Sequence, residues 1–321
     1  MNVSRYFLIT MLAVALLVTP ALATKLGDPA PALKIKDWVK GKPVDLKVGQ
    51  GKQVYVIEFW ATWCGPCLTS IPHLTELQKK YGDQVTFIGV SSEKNVKDVQ
   101  KFVTKMGDRM DYVVAYDNQE QTYKAYMQPF NRNGIPHAFI VDQQGRLVWE
   151  GHPMFGMEEV LEAVLKGNQD IAALTKISKA AEEAYMKRFV ERRELLEKYF
   201  ALVSKSRNAE GAEELGRQVF TVIKDEPAML NEFAWMILTK EDVLTRDLDL
   251  AMQAATAAVK ASDSQDPSIL DTYARALWDT GKKKEAIQAQ KEAISITDNE
   301  RMKEQLVQVL KKYEKEMADE K

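Results

Sequence analysis

Val54-Tyr55-Val56-Ile57-Glu58-Phe59-Trp60-Ala61-Thr62-Trp63-Cys64-Gly65-Pro66-Cys67 is the stretch that decides the fold. Its first seven residues are β-branched or aromatic apart from Glu58, the composition of a buried central strand. The two cysteines follow at once, and beyond them Leu68, Ile71, Leu74 and Leu77 recur at helical spacing. The motif therefore opens a helix at the end of a strand. A helix N-terminus offers unpaired N–H groups and the positive end of the dipole, and both favour a thiolate. Cys64, nearest that end, is expected to be exposed and to act as the nucleophile. Cys67, one turn further in, is expected to be more buried and to resolve a mixed disulfide by attacking Cys64 Sγ. Gly65 and Pro66 shape the turn, since a proline in the first helical turn loses no hydrogen bond.

These are the chain's 2 cysteines. A bridge between them closes too small a loop to constrain the unfolded chain much, so the spacing points to a reactive pair rather than a structural staple. Zinc needs about four ligands, and only His73, His137 and His152 could add to the cysteines. No metal is expected, and the redox-active Cys64–Cys67 disulfide stands in place of a cofactor. A single-cysteine peroxidatic site normally has a Pro-x-x-x-Thr-x-x-Cys frame; Thr62 is present, but no proline stands at the matching place.

Upstream, residues 1–23 read as a signal peptide. Arg5 supplies the positive region, Tyr6 to Val18 is apolar apart from Thr10, and Pro20 leads into Ala21-Leu22-Ala23, an A-x-A-like cleavage site. The apolar run is short of the ~20 residues that a membrane span needs. The mature chain is expected to begin near Thr24 in a periplasmic or other extracytoplasmic compartment, where disulfides persist.

Downstream, residues 85–90, 112–116, 138–141 and 147–149 read as further strands. Helical patterns lie at 96–106, 120–127 and 158–166, and Asp142-Gln143-Gln144-Gly145 reads as a hairpin turn. Strands alternating with helices and ending in a hairpin give an α/β sandwich with a mixed sheet over residues 24–167.

After Gly167 no strand pattern is left. Residues 168–226 carry two amphipathic helical patterns, and residues 227–321 repeat themselves. Pro227, Asn231, Phe233 and Ala234 align with Pro267, Asp271, Tyr273 and Ala274, a shift of 40. Ala251, Ala254 and Ala258 align with Ala286, Ala289 and Ala293, a shift of 35. The difference of five fits a longer loop near Glu241 to Arg246. Small residues at helix crossings resemble tetratricopeptide repeats, with a plain helical bundle as the alternative.

The chain's 321 residues suffice for two domains. A net charge of −2 gives no basic surplus for a nucleic-acid partner.

The segment Val56 to Cys67 resembles the active-site segment of thioredoxins. With a helix and strand added between Ser91 and Asn133, the chain is similar to the TlpA/ResA-like exported branch over about residues 25–167. The resemblance implies an α/β thioredoxin fold, a mixed central sheet flanked by helices, followed here by an all-α helical-repeat domain. It also places Glu58, six residues before Cys64, where thioredoxins bury an acid beneath the cysteines. A buried carboxyl is costly unless protonated or partnered, and such a group would have a raised pKa and could take the proton of Cys67. The alternative is a solvated Glu58 at a strand edge. Ile135-Pro136 resembles the thioredoxin cis-proline loop, whose backbone would pair with an extended client.

The implied client-facing set is Trp63, Gly65, Pro66, Ile135 and Pro136. Trp60 is assigned to the core. His137 stands where many relatives have Thr, either tuning local charge or facing solvent. Ser70 stands where some cytochrome-maturation members carry Glu. The implied activity is protein-disulfide reduction, with Gly-Pro between the cysteines as in reducing thioredoxins. The implied partners are protein thiol or disulfide clients and a membrane thiol electron donor. The helical domain is expected to recruit a partner or form a dimer. Two other readings stay open: a helical-repeat scaffold with a redox-sensing domain, and a thiol peroxidase.

Overall fold

The protein is described from a computed structural model over residues 24–47, 51–117, 119–205, 210–262, 264, 266–297 and 299–319. The expected signal peptide, residues 1–23, lies outside the described residues.

Six strands form one sheet: β1 (Asp37–Lys40), β2 (Val54–Trp60), β3 (Val85–Ser91), β4 (Val113–Tyr116), β5 (His137–Val141) and β6 (Leu147–Gly151), in the order β1-β4-β3-β2-β5-β6. β2, β3 and β4 run parallel; β1, β5 and β6 pair antiparallel with their neighbours. Parallel neighbours need a crossover, supplied by α1 (Gly65–Tyr81) between β2 and β3 and α2 (Val96–Met106) between β3 and β4. α3 (Gln121–Met127) leads to β5, and α4 (Met157–Leu165) follows β6. The sequence marks five of these strands with bounds and reads residues 24–52 only as a connecting and strand region, within which β1 lies. That edge strand has only Trp38 and Val39 as apolar residues and is half-buried throughout.

β2 lies in the middle of the sheet and all seven of its residues are buried. Side chains alternate across a strand. Val54, Val56 and Trp60 therefore join one core with Cys64, Cys67, Ile71 and Leu74, while Tyr55, Ile57 and Phe59 join another with Tyr126 and Phe139. The β5–β6 turn closes on Asp142, whose Oδ1 accepts from the N–H groups of Gln144 and Arg146. Gly145 has φ 78°, where a side chain would be strained.

The rest of the described chain is helical: α5 (Ile171–Val203), α6 (Ala212–Ile223), α7 (Pro227–Thr239), α8 (Leu248–Ala261), α9 (Pro267–Asp279), α10 (Lys283–Ile296) and α11 (Glu300–Asp319). By backbone contacts the chain divides into two compact units between Ala184 and Tyr185. In the second unit the repeated alanines 251, 254, 258, 286, 289 and 293 are all buried, as are Phe233, Ala234 and Ala274. Residues 240–247 join α7 to α8 and 280–282 join α9 to α10, so the first connection is five residues longer. None of the described helices is long and apolar enough to cross a membrane.

Candidate active site

Cys64 is the N-cap of α1, and its Sγ accepts from the Cys67 N–H at 3.2 Å. The helix begins here because Pro66, with no N–H to lose, sits in its first turn. Cys64 and Cys67 are joined by a disulfide. Among the described residues no free cysteine is present.

The expected exposure of Cys64 is corrected: the residue is only 4% exposed and Cys67 is fully buried. In the bridged state Sγ of Cys64 turns inward to Cys67, and the carbonyl oxygen of Ile135 lies 3.6 Å from it. Trp63 provides the open surface instead, at 72% exposed, beside the exposed Leu68, Gly65 and Pro66. Trp60 is buried in the core. The Ile135–Pro136 peptide is cis. The structure thus brings Trp63, the cysteines, Ile135 and Pro136 to one place.

Glu58 shares its side of β2 with Val56 and Trp60, so strand alternation points it toward the core beneath α1. It is 1% exposed, which removes the solvated-edge alternative. Burial pushes its pKa up to about 8, against smaller lowering effects from hydrogen bonds with Ser70 and Tyr112. At neutral pH the group therefore carries a proton. Ser70 Oγ lies 3.2 Å from Glu58 Oε1 and donates to the Cys67 carbonyl at 3.0 Å, linking the acid to the cysteine's own turn. Tyr112 Oη is 3.5 Å from the other carboxyl oxygen.

The sequence singles out neither Tyr112 nor Gly89 as part of the site. Gly89 pairs directly with Glu58 across the parallel ladder. A Cβ on it would meet the Trp60 indole nitrogen and the Tyr112 ring at 3.0 Å, so glycine leaves the space through which Tyr112 reaches the acid. The missed signal was an isolated glycine inside a strand pattern, which marks close approach of a neighbour.

A second acid holds the loop before the motif. Glu93 accepts from the Thr62 N–H at 2.9 Å, the Thr62 hydroxyl at 2.7 Å and the Ser91 hydroxyl at 3.1 Å. His137 does not face solvent; it is buried with Nε2 2.7 Å from Glu150. Among the described residues no cluster of His, Cys, Asp and Glu is arranged to hold a metal ion.

The Redoxin family model matches residues 25–165. Thiol-disulfide oxidoreductase ResA of Geobacillus kaustophilus is 31% identical over 132 residues, covering 40% of this chain and 70% of that protein. The chain belongs to the ResA-type thiol-disulfide oxidoreductases. Protein FixW of Rhizobium leguminosarum, a further relative of this family member, is 27% identical over 157 residues, 46% of this chain and 69% of that protein. A solved structure described as a putative thiol:disulfide interchange protein DsbE from Chlorobium tepidum is 27% identical, covers 47% of this chain and 99% of that one, and has a TM-score of 0.36. The chain is thus an enzyme of thiol–disulfide exchange whose family match ends at residue 165.

Proposed function

We propose that the protein is exported and that it reduces disulfides in protein clients through Cys64 and Cys67. The observation that carries this reading is the Cys64–Cys67 bridge capping α1 above a buried Glu58 that keeps its proton at neutral pH. In the reduced enzyme the Cys64 thiolate attacks a client disulfide. One client sulfur bonds to Cys64, and the other leaves as a thiolate. For resolution Glu58 must be in its ionised form, the form left when its proton passes to Cys67 on reduction. It then takes the proton of Cys67 as Cys67 attacks Cys64 Sγ, which releases the second client thiolate. Two electrons pass to the client, and the enzyme ends bridged with Glu58 protonated, the state described above. Re-reduction requires an external dithiol, which on this reading is a membrane thiol donor. The departing Cys67 sulfur takes its proton back from Glu58.

Client backbone would pair with Ile135 beside the cis-proline, with Trp63 as an apolar platform. Export rests on the pattern of residues 1–23. The helical unit, read as tetratricopeptide-like, would recruit the client or a second copy.

The decisive measurement is the reduction potential of the Cys64–Cys67 couple, read by Trp fluorescence in dithiothreitol or glutathione buffers. A value near about −250 mV or lower supports the reductase. A value above about −180 mV reverses the direction. The absence of a reversible two-electron transition removes the reading altogether.

A further inference from the structure

The loop that carries Ile135 and Pro136 is tied at both ends to a single carboxylate. At its start, Arg132 donates from Nε and Nη2 to Glu150 at 3.0 and 2.9 Å. At its end, His137 Nε2 lies 2.7 Å from Glu150 Oε2. Glu150 is held ionised, its pKa lowered to about 2: burial alone would raise it, but the bonds to His137 and Arg132 outweigh that. An ionised carboxylate only accepts, so the ring donates from Nε2. Glu150 itself is fixed on β6, where it pairs with Phe139 of β5. The His137 ring packs edge-on against Phe139 with centroids 5.2 Å apart. Tyr123 adds a third tie by donating to the Asn133 carbonyl at 3.2 Å. His152 also lies near His137, and its pKa is lowered by burial and by that neighbour.

These contacts bear on chemistry because of what the loop carries. The Ile135 carbonyl lies 3.6 Å from Cys64 Sγ, so a shift of the loop moves the backbone edge against which a client strand must lie. A fork of two N–H bonds from Arg132 and one short bond from His137 leaves that edge little freedom.

We propose that Glu150 is a positioning residue for client docking, holding Arg132 and His137 so that the 132–137 loop stands ready beside Cys64. The inference rests on the reading of Cys64 and Cys67 as a dithiol exchange site. Pre-ordering a loop lowers the entropy that binding must overcome. The effect falls on clients that use the backbone edge and not on small disulfides that meet only sulfur.

The test compares two substrates on the reduced full-length protein: a disulfide-bonded peptide and the small aromatic disulfide dithionitrobenzoate. The variants are Glu150→Gln and Arg132→Met; the second alters a half-exposed side chain, so it tests the tie even if the first unfolds. The expected result is a KM for the peptide raised about tenfold, the scale of one charge-assisted hydrogen bond, with kcat and the dithionitrobenzoate rate within about twofold of wild type. A peptide KM unchanged in both variants overturns the proposal. So does a fall in the dithionitrobenzoate rate that matches the peptide effect, because the residue would then act on the sulfur and not on docking. A wild-type protein that reduces neither substrate overturns the exchange reading itself, a distinct outcome.

Discussion

Glu58 and Glu150 lie on strands that flank β5, on opposite faces of one sheet, and their carboxyl groups are driven in opposite directions. Glu58 sits among apolar side chains with the hydroxyls of Ser70 and Tyr112 as its hydrogen-bond partners among the described residues, and its pKa rises to about 8. Glu150 meets a guanidinium and an imidazole at the sheet edge, and its pKa falls to about 2. Both are glutamates on buried or half-buried strands, so residue type does not separate them. What separates them is whether burial comes with compensating donors. An acid whose pKa is raised toward the working pH can give up a proton and, once ionised, take one back; the firmly ionised one is suited to hold other groups still.

The largest expected effect comes from the neutral side. The unfolded chain releases the Glu58 proton near pH 4.5, the folded chain only near 8. Between those values the unfolded state binds fewer protons, so stability falls as pH rises through the window. In urea unfolding of the oxidised protein, Glu58→Gln should remove this dependence. It should gain on the order of a few kcal/mol over wild type at pH 9 compared with pH 5. The same variant should slow the resolving attack of Cys67 about 10²-fold, measured as decay of a mixed disulfide. Parallel pH profiles for the two proteins would mean that Glu58 is not buried neutral.

A second experiment sharpens the comparison by closing the space beside the acid. Gly89→Ala places a methyl 3.0 Å from the Trp60 indole nitrogen and the Tyr112 ring. Crowding of this kind costs about 1–3 kcal/mol, and displacement of Tyr112 should also shift the pH dependence assigned to Glu58. An unchanged midpoint in thermal unfolding would show that the ladder has room there.

On the ionised side the sign is reversed. Glu150 contributes stability that is present above its unfolded pKa near 4.5 and is lost as pH falls through about 2. The Arg132 side chain is 49% exposed, so screening reduces the gain to about 1–2 kcal/mol. Wild type and Glu150→Gln should therefore differ by that amount at pH 6 and converge toward pH 2 in urea unfolding. A difference independent of pH would assign the effect to packing instead of charge.

How much of this was legible in the sequence follows the same physics. β2, α1 and the cysteine pair declare themselves through a buried apolar run, helical spacing and a proline suited to the first turn. The burial of Glu58 could be argued because an acid in such a run has few alternatives. β1 could be expected only somewhere within residues 24–52 and not placed, since a four-residue edge strand with two apolar residues leaves no periodic signal. The burial of Cys64 is not legible because the bridge and the Ile135 carbonyl, 71 residues away in sequence, lie against it together. The ties of Glu150 to Arg132 and His137, and of Glu93 to Thr62, join charged or polar residues across loops. Nothing local in their spacing marks such pairings.

Glu93 supplies a third environment and the smallest expected effect. It carries no cationic partner in its bonds to Thr62 and Ser91; three neutral donors converge on it. Such bonds contribute about 1 kcal/mol each, less than the charged fork at Glu150. Thr62→Val keeps the backbone bond and loses the hydroxyl bond, so it should lower stability by about 1 kcal/mol. Glu93→Ala loses all three and should cost more. The double variant should show a coupling of about 1 kcal/mol, because the hydroxyl bond counted in both single losses can be lost only once. Thr62 stands two residues before Cys64, so the same cycle can be read in the rate at which the reduced Cys64 is alkylated. Zero coupling in stability would break the contact. Coupling in stability with an unchanged alkylation rate would leave Glu93 as a brace of the loop, with no influence on the sulfur.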